Sequence, residues 1–79
     1  MELSVRLYGT LRERFPSYCH SEGQRVVLPD NATVEDLLGA LGIARSDVLV
    51  VSTNGRILKA DDTIRSGDGV NIFQSILGG

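Results

Sequence analysis

The sequence has 79 residues, of which 42% are hydrophobic and 23% charged, with a net charge of −2. These values are typical of one small globular domain, and the scattered arginines give no basic surface for nucleic acid. One cysteine excludes an internal disulfide. Because the sequence has no membrane-length apolar run and no signal-peptide pattern, we expect a cytoplasmic protein that does not bind membranes.

The N-terminal part of the sequence predicts two strands separated by a long connection. Residues 2–8 alternate between apolar and polar side chains, as in a half-buried strand. Residues 10–13 (Thr-Leu-Arg-Glu) match a capping box and predict one or two helical turns, which Pro16 limits. A second strand is predicted from Gln24 to Leu28, where Pro29 stops it.

The strongest local pattern predicts an amphipathic helix of about ten residues after Thr33. Thr33 and Asp36 form a capping box, and Gly42 stands where a left-handed residue ends a helix. Apolar residues at i, i+3, i+4 and i+7 form one stripe that would pack on a sheet: Val34, Leu37, Leu38 and Leu41.

The C-terminal part predicts three more strands. Residues 47–52 are hydrophobic enough for a central or nearly central strand, and Asn54-Gly55 predicts a hairpin into a short strand at 56–58. A polar loop follows at 61–69, and the last strand is predicted from Val70 to about Leu77. The order β-β-α-β-β-β, with one main helix, predicts an α+β domain of two layers.

Five features of the sequence occur together: the element order, Leu11-Arg12-Glu13, the helix at 33–38, the turn Ser66-Gly-Asp68 and the terminal Gly78-Gly79. Taken together, they resemble the MoaD/ThiS family of small ubiquitin-type sulfur carriers. The similarity covers essentially the whole chain, and the long first connection (9–23) is closer to the MoaD branch, which supplies sulfur to molybdopterin. The tail sequence Phe73-Gln-Ser-Ile-Leu77 departs from the prolines and small residues that MoaD-type tails commonly carry, which leaves the pathway open.

The resemblance implies a single ubiquitin-like β-grasp domain over residues 1–79, with the last strand beside the first at the centre of a mixed five-stranded sheet. Residues 75–79 would be a flexible tail. A terminal Gly-Gly is slender enough to enter a narrow tunnel, because glycine has no Cβ. The resemblance further implies that a ubiquitin-activating-type enzyme uses ATP to adenylate the Gly79 carboxylate.

A sulfur donor would then convert the adenylate to a thiocarboxylate, which passes its sulfur to an acceptor such as the large subunit of molybdopterin synthase. Gly78 is expected to resist substitution for steric reasons. The chain itself has no phosphate-binding motif, so we expect a co-substrate that binds no cofactor of its own rather than an enzyme.

Alternation also predicts a docking patch for the partner. If Val70 and Ile72 face the helix, Phe73 faces the open side of the sheet, near the outward side chains of the first strand. The alternative places Phe73 in the core. The residues expected to contact a partner are Arg6, Tyr8, Phe73, Ser75, Ile76 and Leu77.

Other polar residues predict no chemistry. Cys19-His20 lacks an orienting third group for catalysis and supplies two ligands where zinc needs three or four. Asp61, Asp62 and Asp68 lack the spacing of a calcium loop, and the lone Lys59 is read as soluble surface.

Three alternatives to a molybdopterin sulfur carrier remain open: a carrier in thiamine or another sulfur-transfer pathway, a ubiquitin-like modifier joined to lysines of other proteins, and a β-grasp binding module whose Gly-Gly end is incidental.

Overall fold

The fold is taken from a computed structural model that describes residues 1–65, 67 and 69–75. The described residues form five strands, one α-helix and two 3₁₀ helices. In chain order these are β1 (Glu2–Tyr8), the first 3₁₀ helix (Gly9–Arg14), β2 (Gln24–Val27), α1 (Val34–Leu41), the second 3₁₀ helix (Arg45–Asp47), β3 (Val48–Thr53), β4 (Arg56–Leu58) and β5 (Gly69–Gln74). Each predicted element is present, with ends shifted by one or two residues. The last strand, predicted to reach about Leu77, ends at Gln74, and the described Ser75 no longer belongs to it; residues 76 and 77 lie outside the described part.

The five strands form one mixed sheet in the order β2-β1-β5-β3-β4. The two central strands, β1 and β5, run parallel, and the other neighbouring pairs are antiparallel. The last strand therefore lies beside the first, and the predicted ubiquitin-like β-grasp is confirmed.

The core lies between the sheet and α1. The inward side chains of the two central strands are almost fully buried, as the alternation predicts, and Leu37 of α1 is 0% exposed. Those inward residues are Leu3, Val5 and Leu7 on β1 and Val70 and Ile72 on β5. Burial of these apolar side chains from three elements is what holds helix and sheet together.

The ends of α1 match the prediction, although the helix has eight residues rather than ten. The Thr33 hydroxyl accepts a hydrogen bond from the Asp36 N–H (3.2 Å), and the Asp36 carboxylate accepts one from the Thr33 N–H (2.9 Å). Gly42 adopts the left-handed conformation with φ = 70°. The capping box and the glycine C-cap are thus confirmed.

The capping box predicted at residues 10–13 is wrong. The helix that follows β1 is a 3₁₀ helix that begins at Gly9, and its N-cap residue, Tyr8, makes no side-chain capping bond. The Thr10 N–H instead donates to the side chain of Gln74, 64 residues later in the chain. A long-range contact therefore replaces the local one, which a sequence pattern does not reveal.

The hairpin between β3 and β4 turns at Asn54-Gly55, as predicted. Both residues are left-handed, with φ of 49° and 79°. A type I′ turn requires this conformation at both central residues, and asparagine and glycine adopt it at low cost.

Substitution of Leu37 by alanine tests the core. We expect a loss of about 2–5 kcal/mol in the free energy of unfolding, because a fully buried leucine leaves a cavity. Leu49→Ala removes the same atoms from a side chain that is 60% exposed, and should cost about 0.5 kcal/mol or less. Urea denaturation measures both values, and equal losses for the two variants would contradict this assignment of the core.

Candidate functional site

The open face of the sheet carries a stacked aromatic pair. In the parallel pairing of β1 and β5, Tyr8 lies directly opposite Phe73. Their rings are 4.5 Å apart and inclined by only 14°. Val70 and Ile72 point to the core, so Phe73, with the opposite parity, lies half-buried on the other face. The predicted position of Phe73 is confirmed, and the alternative that places it in the core is wrong.

The long first connection adds a third ring to this pair. The His20 ring packs nearly perpendicular to the Tyr8 ring, with ring centroids 5.0 Å apart, and its Nδ1 is 2.7 Å from the Tyr18 hydroxyl. We refer to Tyr8, Phe73 and His20 as the aromatic patch. The sequence does not predict this position of His20, because nothing local in Tyr-Cys-His indicates where the connection folds back.

Hydrogen bonds to β1 explain the course of the connection. On this side of β1, the neighbouring strand β2 pairs only with residues 2–5. Beyond the paired residues, the Leu7 N–H of β1 donates to the Tyr18 hydroxyl of the connection (2.8 Å). Arg6 donates to the carbonyl oxygens of His20 and Ser21, both at 3.2 Å. These bonds satisfy backbone groups that lie outside the ladder.

Arg6 therefore has a structural partner on its own chain. Its guanidinium fixes the backbone next to His20, while the side chain stays on the exposed surface of the sheet. Its predicted contact with a partner protein remains a prediction.

Cys19 lies next to the patch and is exposed. The Ser21 hydroxyl, followed by the backbone N–H groups of Glu22 and Ser21, lowers the pKa of its thiol by hydrogen bonding to the thiolate. In the described part of the chain, no group of three or more His, Cys, Asp or Glu side chains is placed to hold a metal ion.

Phe73 of the patch lies near the end of β5, two residues before Ser75, the last described residue. Phe73 is followed by Gln74 and Ser75, and the Ser75 N–H donates to the carbonyl oxygen of Asp47 (2.9 Å). Four residues with predicted roles, Ile76, Leu77, Gly78 and Gly79, lie outside the described residues, as do Ser66 and Asp68 of the predicted turn. The structure thus brings together Tyr8, Phe73 and the start of the tail.

Among the described residues, no helix is both long and apolar enough to cross a membrane.

Known structures show the same fold. The crystal structure of small archaeal modifier protein 1 from H. volcanii has a TM-score of 0.73 and 22% identity, covering 95% of this chain and 98% of that one. A crystal structure of SAMP1 from Haloferax volcanii has a TM-score of 0.69 and 25% identity over 100% of both chains. A Pyrococcus furiosus protein described as a candidate molybdopterin converting factor, subunit 1, has a TM-score of 0.72 and 20% identity, covering 96% and 99%.

The search of curated proteins found no match. The model of the ThiS family, in contrast, matches residues 5–79, which is nearly the whole chain. Together with the β-grasp fold, this match confirms the resemblance inferred from the sequence: the chain belongs to the ThiS family.

Proposed function

We propose that this protein is a sulfur carrier whose C-terminal Gly79 is adenylated by a partner enzyme and then converted to a thiocarboxylate. The observation that carries the proposal is the position of the aromatic patch. Its Phe73 lies two residues before Ser75, the last described residue. Aromatic side chains left on an exposed sheet face are typical of interface anchors. A partner bound there lies within reach of the carboxylate, because four residues span at most roughly 14 Å.

The chemistry follows from the poor reactivity of a carboxylate. C-terminal carboxyl groups are ionised at neutral pH, and the resulting carboxylate resists nucleophilic attack. One of its oxygens attacks the α-phosphate of ATP, and pyrophosphate leaves. A hydrosulfide ion then attacks the acyl carbon of the adenylate and displaces AMP, which leaves a thiocarboxylate on Gly79 and releases one proton.

The contribution of this chain is to dock and to present its C-terminus. The sequence has no phosphate-binding loop, so ATP and the catalytic groups belong to the partner. A carrier of this kind is a co-substrate, and its specificity depends on how well its surface fits first the adenylating enzyme and then the acceptor.

We further propose molybdopterin synthesis as the destination of the sulfur. The support is the long connection at 9–23, which resembles the MoaD branch, and the structural likeness to the protein described as a molybdopterin converting factor subunit. The acceptor would then be a molybdopterin synthase large subunit.

A second candidate function is that of a protein modifier. The fold also matches that of small archaeal modifier protein 1. Both functions begin with the same adenylate and differ in whether sulfur or a lysine amine attacks it.

Intact-mass analysis of the protein purified from its native host distinguishes these functions. A carrier shows the mass gain of one sulfur replacing one oxygen, and fragmentation places the change on Gly79. Conjugates with other proteins, joined through Gly79, would identify a modifier. If neither the thiocarboxylate nor a conjugate is found in cells that synthesise molybdopterin, both proposals are overturned and a simple binding module is favoured.

Deletion of Gly79 should abolish activation without unfolding the domain. The shortened chain still ends in a carboxylate, but this lies roughly 3.5 Å short of its place in the partner. Because a misplacement of about 1 Å can already lower a reaction rate by a factor of about 100, we expect the rate of pyrophosphate release to fall by at least that factor. Unchanged thermal unfolding is the control, and thiocarboxylate formation on the shortened chain would contradict the proposal.

Phe73→Ala should weaken binding to the adenylating enzyme at least about tenfold, since exposed aromatic anchors dominate interfaces. The free energy of unfolding should fall by less than about 1.5 kcal/mol, because Phe73 lies outside the core and its aromatic contact is the stacking on Tyr8. Calorimetric titration and urea denaturation measure the two effects.

The matched control is Val27→Ala, which trims a side chain that is 74% exposed on the edge strand β2. It should leave the affinity unchanged. Equal affinity losses in the two variants would argue against docking through the aromatic patch.

A further inference from the structure

The end of β5 is held from two sides by contacts outside the sheet ladder. On one side the Gln74 side-chain oxygen accepts a hydrogen bond from the Thr10 N–H (2.5 Å) in the first 3₁₀ helix. On the other side the Ser75 N–H donates to the Asp47 carbonyl oxygen (2.9 Å) at the end of the second 3₁₀ helix. Two consecutive residues are thus tied to two different segments immediately before residues 76–79.

Gly9 makes room for the first of these contacts. A Cβ on Gly9 would lie 2.9 Å from the Gln74 Cβ, and closer still to its side-chain oxygen. Gly9 also has a φ of 77°, in the left-handed region that residues with a Cβ rarely adopt. The chain turns away from β1 at the one position where the missing side chain lets Gln74 pack against the backbone.

An ion pair connects the two segments. The Arg14 guanidinium lies 2.9 Å from the Asp47 carboxylate, so the ends of the two 3₁₀ helices are joined next to Ser75. Both side chains are partly exposed, and the pair adds little stability. Its effect is geometric: it holds in place the residue whose carbonyl oxygen accepts the Ser75 N–H.

We propose that Gly9, Thr10, Asp47 and Gln74 form a clamp that fixes the direction in which the chain leaves β5, and so positions Gly79 for adenylation. The inference rests on the proposed function and adds positioning residues to it. With the bond from the Thr10 N–H to Gln74 made, the end of β5 has one partner on each side, in the first 3₁₀ helix and at Asp47. Without that bond, Gln74 keeps its pairing with Val48 of β3, but the strand end loses its contact with the first 3₁₀ helix. Its direction must then be fixed again in each productive encounter.

The test compares three variants in ATP-dependent adenylation by the adenylating enzyme of the same organism. Gln74→Met keeps the length of the side chain and removes the acceptor oxygen. We expect kcat to fall about 3- to 10-fold, because orientation at the reacting carboxylate is lost. KM for the carrier should stay within about twofold, since the aromatic patch is intact.

Gln74→Glu retains an acceptor oxygen for the Thr10 N–H and should restore most of kcat. Gln24→Met makes the same chemical change in β2, away from the tail, and should leave kcat unchanged. If Gln74→Met has the kcat of the parent protein, or if Gln24→Met lowers kcat equally, the clamp is overturned.

Amide hydrogen exchange tests the contact without any enzyme. The Thr10 amide should exchange faster in Gln74→Met than in Gln74→Glu, while core amides of β1 stay protected in both. Equal exchange at Thr10 in the two variants would overturn the proposal. Absence of adenylation of the parent protein would instead refute the proposed function, so the two failures are distinguishable.

Discussion

The parallel pairing of β1 with β5 is the contact on which the other features depend. It joins the two ends of the chain at the centre of the sheet and aligns the inward side chains Val5 with Val70 and Leu7 with Ile72, which are almost fully buried. A parallel pair needs a long crossover, and here most of the chain, including α1, provides it. In a domain this small, the two central strands must contribute much of the buried apolar surface.

The same register also places the aromatic patch on the open face of the sheet. Because alternate side chains point to opposite faces, the alignment that buries Ile72 also sets Phe73 opposite Tyr8 on the open side. A slip of one residue would move the aromatic ring into the core and expose the aliphatic side chains. The stability of the core and the position of the aromatic patch are therefore set by one interaction, and the patch cannot shift without disrupting the core.

Local patterns predicted most of the fold because the local sequence preference of each element agrees with the conformation that the element adopts in the fold. Alternation in residues 2–8, the capping box at Thr33 and the Asn54-Gly55 turn each indicate one conformation, and each is present. Which side chains of β5 lie on the open face could also be predicted, since successive side chains of any strand point to opposite faces of the sheet. The capping box predicted at residues 10–13 is wrong, because the Thr10 N–H bonds to the distant Gln74 side chain and no local capping bond forms.

The parts of the site that could not be predicted depend on contacts between residues distant in sequence. His20 reaches Tyr8 because Arg6 and Tyr18 hold the first connection against β1, and no periodic pattern encodes such a path. The contact of Gln74 with Gly9 likewise joins the two ends of the chain. A long connection without strand pairing is held by individual side-chain bonds, which explains why its length was visible in the sequence and its course was not.

These long-range contacts assign separate tasks to neighbouring residues of β5. Phe73 points outward, where a partner can cover it, whereas Gln74 is already bonded to its own chain. Under the proposed function, the carrier is recognised first by an adenylating enzyme and then by an acceptor. Because Gln74 is bonded to its own chain, the proposed clamp would keep the direction of the chain at Ser75 the same for both partners. Binding energy from the patch would then be used at the carboxylate instead of ordering the strand end, a form of preorganisation.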